Sequence, residues 1–146
     1  MVNKEARRES RILAVEVLFA YFSRGEKISI KESFDHVLHE VAEKDSDAFA
    51  QELIDRAIEH FKKIKVIIRA FAPEFAFEKI APINRSLLIL GITEMKYFET
   101  PPIVVINEYV ELSKLFGEQR SASFINGVLD NFRKNIGRQR EDDEPA

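Results

Sequence analysis

Four cations open the chain, Lys4, Arg7, Arg8 and Arg11. Arg7 and Arg11 are four residues apart, which puts them on one face of a helix. An arginine guanidinium is a planar, permanently charged fork that fits phosphate oxygens and stacks on bases. Cations at a helix start oppose the macrodipole and cost a few tenths of a kcal/mol each. A helix under structural demands alone more often carries Asp or Glu there. The plainer reading is a solvated charge run offset by Glu5 and Glu9. On residue types alone the two readings stand level.

A second stretch, Lys114 to Ser121, mixes Lys114, Phe116, Gln119 and Arg120 around a helix–helix turn. Phe116 could stack a base, and Gln119 and Ser121 could hydrogen-bond others. By itself the stretch reads as a helix C-terminus with its hydrophobic contact. A third feature is Asn126-Gly127 inside a helical pattern. Glycine there costs about 1 kcal/mol relative to alanine. Close helix packing or a ligand's approach to the backbone would offset it, and Asn126 suits a base edge. Helix packing with a local Asn hydrogen bond explains the pair equally well.

Other chemistries lack their residues. There is no cysteine, which excludes disulfides, thiolate zinc sites, iron–sulfur clusters and thiol catalysis. No P-loop, G-x-G-x-x-G, G-x-S-x-G or H-E-x-x-H occurs, and the five glycines are isolated. His36 and His39 lie three apart, but His60 is the only other histidine. They read as two half-exposed histidines on an amphipathic helix, not as metal ligands. No enzyme, metal or cofactor is expected. The N-terminus MVNKEARRES has no apolar segment after its charges, and no 18-residue apolar run occurs. A soluble, cytoplasmic protein with no membrane partner is expected.

The elements that must position these groups are helical. Ile12, Val15, Leu18, Phe19 and Phe22 form one stripe, with Arg11, Glu16 and Arg24 off its face and Gly25 at its end. Ser29 and Glu32 make a capping box, followed by Phe34, Val37, Leu38 and Val41. Glu43–Asp47 reads as a loop that caps a long third helix, about Ala48–Phe71, stopped by Pro73. Glu74–Ala81 predicts a short helical turn. Pro82 opens a helix so apolar that it should be the central one. Thr100-Pro101-Pro102 breaks it, and a helix over Ile103–Phe116 follows. Ser121 caps a last helix that Gly137 ends, leaving a polar, disordered tail. The chain of 146 residues, 45% apolar and 32% charged, is expected to form one all-α domain over 1–140. Its six main helices divide at Pro73 into two packed three-helix subdomains, about 1–72 and 73–140, before an acidic tail at 141–146.

Net charge is −3, yet its distribution is uneven. Residues 1–27 carry +2 and 112–140 carry +4, while 28–80 carry −3, 81–111 carry −2 and 141–146 carry −4. Two basic ends around an acidic middle make a basic patch on a near-neutral protein.

The segments ARRESRILAVEVLFAY, INRSLLILGITEM, PPIVVINEYVELSKLFG and SASFINGVLDNF, in this order, resemble the NusB family of transcription antitermination factors. The resemblance covers residues 4–135 and is weakest over 26–80. It implies an all-helical fold of two three-helix units. It implies binding of the boxA element of nascent RNA together with NusE, a small-subunit ribosomal protein. In that assembly the transcription elongation complex reads through terminators, notably in ribosomal RNA operons. The family's arginine-rich start falls on Arg7, Arg8 and Arg11, beside Lys4. Its RNA-facing loop and last helix fall on Lys114, Phe116, Gln119, Arg120 and Asn126. Glu9, inside the arginine cluster, departs from the family pattern and weakens the electrostatic attraction. The acidic Glu74, Glu78, Glu94 and Glu99 suit a basic ribosomal protein, and some members form homodimers. The alternative is a substrate-reading NusB-like domain of an RNA cytosine methyltransferase, which would need a catalytic domain elsewhere.

Overall fold

The computed structural model describes the backbone of residues 4–24, 29–40, 44–116 and 119–143. Side chains are described for all of these except 37–40, 44–47, 119 and 137–143. Among the described residues there is no strand. The elements are α1 (Lys4–Ser23), α2 (Ile30–Glu40), α3 (Lys44–Glu59), α4 (Phe61–Phe71), a 3-10 turn (Phe77–Lys79), α5 (Pro82–Tyr97), α6 (Pro102–Leu115) and α7 (Gln119–Asp143). None is long and apolar enough to cross a membrane. The expected ends at Gly25 and Gly117 lie outside the described residues.

Ser29 caps α2 as its spacing predicts. The Glu32 backbone N–H donates to Ser29 Oγ at 3.1 Å, which satisfies one orphan donor of α2. Proline opens both α5 and α6, where its missing N–H costs nothing. From Ser86 to Lys96 every residue of α5 is buried. α5 packs against α1, α3, α4, α6 and α7, so it is the central helix its composition predicts. Each large aliphatic side chain buried there contributes roughly 1.5–3 kcal/mol. Gly91 allows a close approach here: a Cβ would stand 3.0 Å from a methyl of Leu129 on α7, and the fully buried Leu129 would have to shift by a few tenths of an ångström to admit it.

Four expectations need correction. The third helix is not continuous. It breaks at His60, whose φ of −112° and ψ of 21° leave the helical region. α3 packs mainly on α1 while α4 packs on α5 and α7, and a straight helix cannot follow both surfaces. The His60 ring stacks on Tyr97 at 4.0 Å, and Phe61 joins Phe22 and Phe77 in an aromatic cluster. At the other end of this helix, Asp45 and Ser46 fall within its first turn, not in a loop. Finally, α7 runs through Gly137 to Asp143, and Ser121 is a buried residue of its first turn rather than a cap. The helices before Pro73 therefore number four. α1, α2 and α3 form one group, α5, α6 and α7 another, and α4 lies against α5 and α7. One contiguous core joins all of them.

Candidate nucleic-acid interface

The start of α1 does two different things with its arginines. Arg11 points inward. It is 3% exposed, against the expectation of a surface cation. Its Nε donates to Glu94 Oε1 at 2.8 Å and its Nη2 to Glu94 Oε2 at 2.6 Å. Tyr109 donates its hydroxyl to the same Glu94 Oε1 at 2.9 Å. Burial opposes the Arg11 charge, but the hydrogen bond and charge of Glu94 outweigh it, and the guanidinium is held above its ordinary pKa. Burial, reinforced by Glu94, pushes the Tyr109 phenol well above its usual range. A bidentate pair of this kind is a structural lock between α1, α5 and α6. Arg11 and Glu94 therefore leave the sets expected to meet ligands at the surface.

Arg8 is exposed and Arg7 half-buried, and both are held in place. Arg8 donates to Glu108 Oε2 from Nε at 3.2 Å and from Nη2 at 2.7 Å. The Arg8 side chain is 45% exposed, whereas that of Glu108 is 5% exposed. Glu108 also lies 3.6 Å from Arg11 Nη1. A guanidinium has five N–H donors. Two of Arg8's are used on Glu108, and the rest have no partner among the described residues. Arg7 lies over the Phe49 ring of α3 at 3.8 Å, a cation–π contact that fixes its direction. Lys4 is exposed in the first turn. The result is two preoriented guanidinium forks at one helix start, the geometry that suits phosphate oxygens.

The other expected residues lie on α6 and α7. Lys114 is exposed and pairs with Glu111 at 3.3 Å. Phe116 caps α6, with its ring packed partly against the core. Arg120, Asn126 and Gly127 are exposed on α7. At 3.6 residues per turn, Arg120 and Asn126 stand about 120° apart around that helix, so they do not share a face. Asn126 shares its stripe with Gln119, whose side chain lies outside those described. A Cβ on Gly127 would meet nothing within 4 Å, so helix packing does not explain this glycine. Gly127→Ala is accordingly expected to stabilise the fold by about 0.5–1 kcal/mol through helix propensity. Chemical denaturation of the two proteins measures it.

The four acids expected to meet a basic partner do not form one patch. Glu94 is fully buried in the lock. Glu74 and Glu78 precede α5, and Glu99 follows it. A helix of 16 residues separates those sites by about 24 Å. Glu78 also approaches Lys65 at 3.8 Å.

Sequence reasoning missed Glu108, Tyr109 and Phe49. A signal existed for the first. Glu108 lies on the same inward stripe as Val105, Tyr109 and Leu112, and an acid on a buried stripe requires a partner.

Comparison with known proteins places this arrangement. The NusB family model matches residues 8–134. A transcription antitermination protein NusB from Oleidesulfovibrio alaskensis is 37% identical over 134 residues, covering 88% of this chain and 87% of that protein. The protein of the same description from Bacillus subtilis is 32% identical over 131 residues, covering 89% and 96%. Among solved structures, one of antitermination factors NusB and NusE in complex with dsRNA matches with a TM-score of 0.80 at 27% identity, covering 90% of this chain and 98% of that one. NusB from Aquifex aeolicus matches with a TM-score of 0.80 at 26% identity, covering 97% and 96%. An all-helical chain with a locked, arginine-bearing first helix, matched over nearly its whole length, belongs to the NusB family.

Proposed function

We propose that this chain is a cytoplasmic RNA-binding antitermination factor, not an enzyme. It binds a boxA-type element of nascent RNA together with NusE and helps the elongation complex read through terminators, notably in ribosomal RNA operons. The observation that carries this reading is the pair Arg7 and Arg8 at one helix start, the first held over Phe49 and the second by Glu108 with N–H donors to spare. Preorientation reduces the entropy lost when a flexible side chain meets a phosphate. Lys4, Lys114, Phe116, Gln119, Arg120 and Asn126 extend the surface in this reading. The exposed Glu74, Glu78 and Glu99 are offered to a basic partner at separate points. Matched relatives covered at 87% and 96% of their own length are antitermination proteins, which favours this role over a methyltransferase's substrate-reading domain.

The charge balance at the site sets the expected strength. Arg11 is neutralised by Glu94, and Arg8 is partly neutralised by Glu108. Fewer net charges then face phosphate than four cations suggest, and electrostatics supplies much of nucleic-acid affinity. Binding to RNA alone is expected to be weak and to tighten at least tenfold with NusE. Titrating a boxA-type RNA with and without NusE tests it. Equal affinity in the two titrations refutes the joint reading.

A further inference from the structure

Glu108 is an acid shared by two arginines of α1 that differ in their surroundings. Its side chain is buried on the inward stripe of α6. Oε2 accepts both hydrogen bonds from the half-exposed Arg8. Oε1 stands 3.6 Å from Nη1 of the buried Arg11. That separation is within ion-pair range but about 0.7 Å longer than the usual N–H···O hydrogen bond. Arg11 bonds Glu94 through Nε and Nη2, so Nη1 takes no part in that lock. Glu94 also keeps the Tyr109 hydroxyl. Glu108 thus has one cation bound and a second, buried and fixed, in reserve.

Arg8, Arg11, Glu94 and Glu108 carry two positive and two negative charges, so the cluster is neutral before any ligand arrives. A phosphate that meets the open N–H donors of Arg8 is a second anion on a guanidinium that Glu108 already neutralises. The two anions compete for one charge. Water cannot replace Arg8 at Glu108, because the carboxylate is buried, and a buried carboxylate without a partner is strongly disfavoured. Arg11 Nη1 removes that obstacle. A small turn of the Glu108 carboxylate toward it closes the gap and keeps the acid paired while Arg8 goes to the phosphate. Arg8 has the exposure for this movement, and Arg11, clamped on Glu94, can stay where it is.

We propose that Glu108 is an exchangeable counter-ion. In the free protein it holds Arg8, and when an RNA phosphate takes Arg8 it passes to Arg11. The proposal rests on the RNA-binding reading above and adds regulation of that site. Glu108 is a built-in competitor of phosphate, so it lowers affinity while it keeps Arg8 placed in the free protein. The exchange also carries the presence of RNA from the start of α1 into the buried lock of α1, α5 and α6, through one carboxylate with two arrangements.

The test uses the full chain with NusE and a boxA-type RNA. Guanidinium N–H resonances of isotope-labelled protein are followed through the titration. Those of Arg11 are expected to shift as RNA saturates, although Arg11 is buried and meets no ligand. Glu108→Gln keeps an acceptor for Arg8 and removes the competing charge. It is expected to tighten RNA binding about two- to fivefold and to abolish the RNA-induced shift at Arg11. In an Arg8→Ala background the same substitution is expected to bring no gain. Asp35→Asn, at an exposed acid of α2, controls for net charge and should leave affinity unchanged. Thermal melts confirm that the variants fold. If Glu108→Gln weakens binding or leaves it unchanged, Glu108 is a fixed bracket for Arg8 and the proposal is overturned. An equal gain in the Arg8→Ala background, or with Asp35→Asn, makes the effect one of general charge and overturns it too. A parent that binds RNA while its Arg11 resonances stay still overturns the exchange alone, with no substitution needed. Failure of the parent to bind RNA at all overturns the exchange and the function together.

Discussion

Arg11→Met is expected to destabilise the protein by about 3–5 kcal/mol, because it leaves the Glu94 carboxylate buried without its partner. For a chain of this length that corresponds to a melting temperature lower by roughly 10–20 °C. The loss belongs to the broken pair rather than to the pair's net worth. The triple variant Arg11→Met, Glu94→Leu, Tyr109→Phe removes the carboxylate, its guanidinium and the hydroxyl that donates to it. Replacing a whole buried ionic group by apolar residues of similar volume is often neutral or better, so the triple variant should recover most of the lost stability. Thermal melts of the parent, single and triple variants decide this. A single variant that melts with the parent would mean that Arg11 is not locked to Glu94 in solution.

Asn126→Ala is expected to act on recognition and leave the fold alone. Asn126 is exposed on α7, so its loss should change stability by no more than about 0.5 kcal/mol. If its amide reads a base edge, removing it costs about 1–3 kcal/mol of RNA affinity and relaxes preference at one position. The salt dependence of binding should hardly move, because no phosphate contact is lost. A lower melting temperature with unchanged affinity would instead make Asn126 a structural residue of α7.

Much of the fold was legible because helix signals are local. The capping box at Ser29 and Glu32, the prolines before α5 and α6, and the unbroken apolar run of α5 each act within a few residues. The break at His60 was not legible. It arises because α3 and α4 face different neighbours, which is a tertiary demand. The length of α7 was misread for a related reason: Gly137 is a stop signal only where the helix is free to stop. Among the candidate site residues, the types were right and the directions were not all visible. Arg7, Arg8 and Arg11 look alike in sequence. Only the positions of Phe49, Glu108 and Glu94 on other helices decide that Arg11 is buried while Arg7 and Arg8 keep exposed surface. Glu94 differs: α5 was expected to be the central helix, and an acid on such a helix calls for a buried partner rather than a surface one.

The central claim is that the start of α1 presents Arg7 and Arg8, and not Arg11, to RNA phosphates. The salt dependence of affinity tests it most directly. Binding of a boxA-type RNA, with NusE present, would be measured across a salt series for the parent, Arg7→Ala and Arg8→Ala. Each variant is expected to lower the log–log slope by roughly 0.7–1 unit and to weaken matched and scrambled RNA by the same factor. Stability should fall by only about 1 kcal/mol in Arg8→Ala, since its guanidinium is half exposed. Slopes that match the parent in both variants would contradict the account, since phosphate would then be met elsewhere on the molecule.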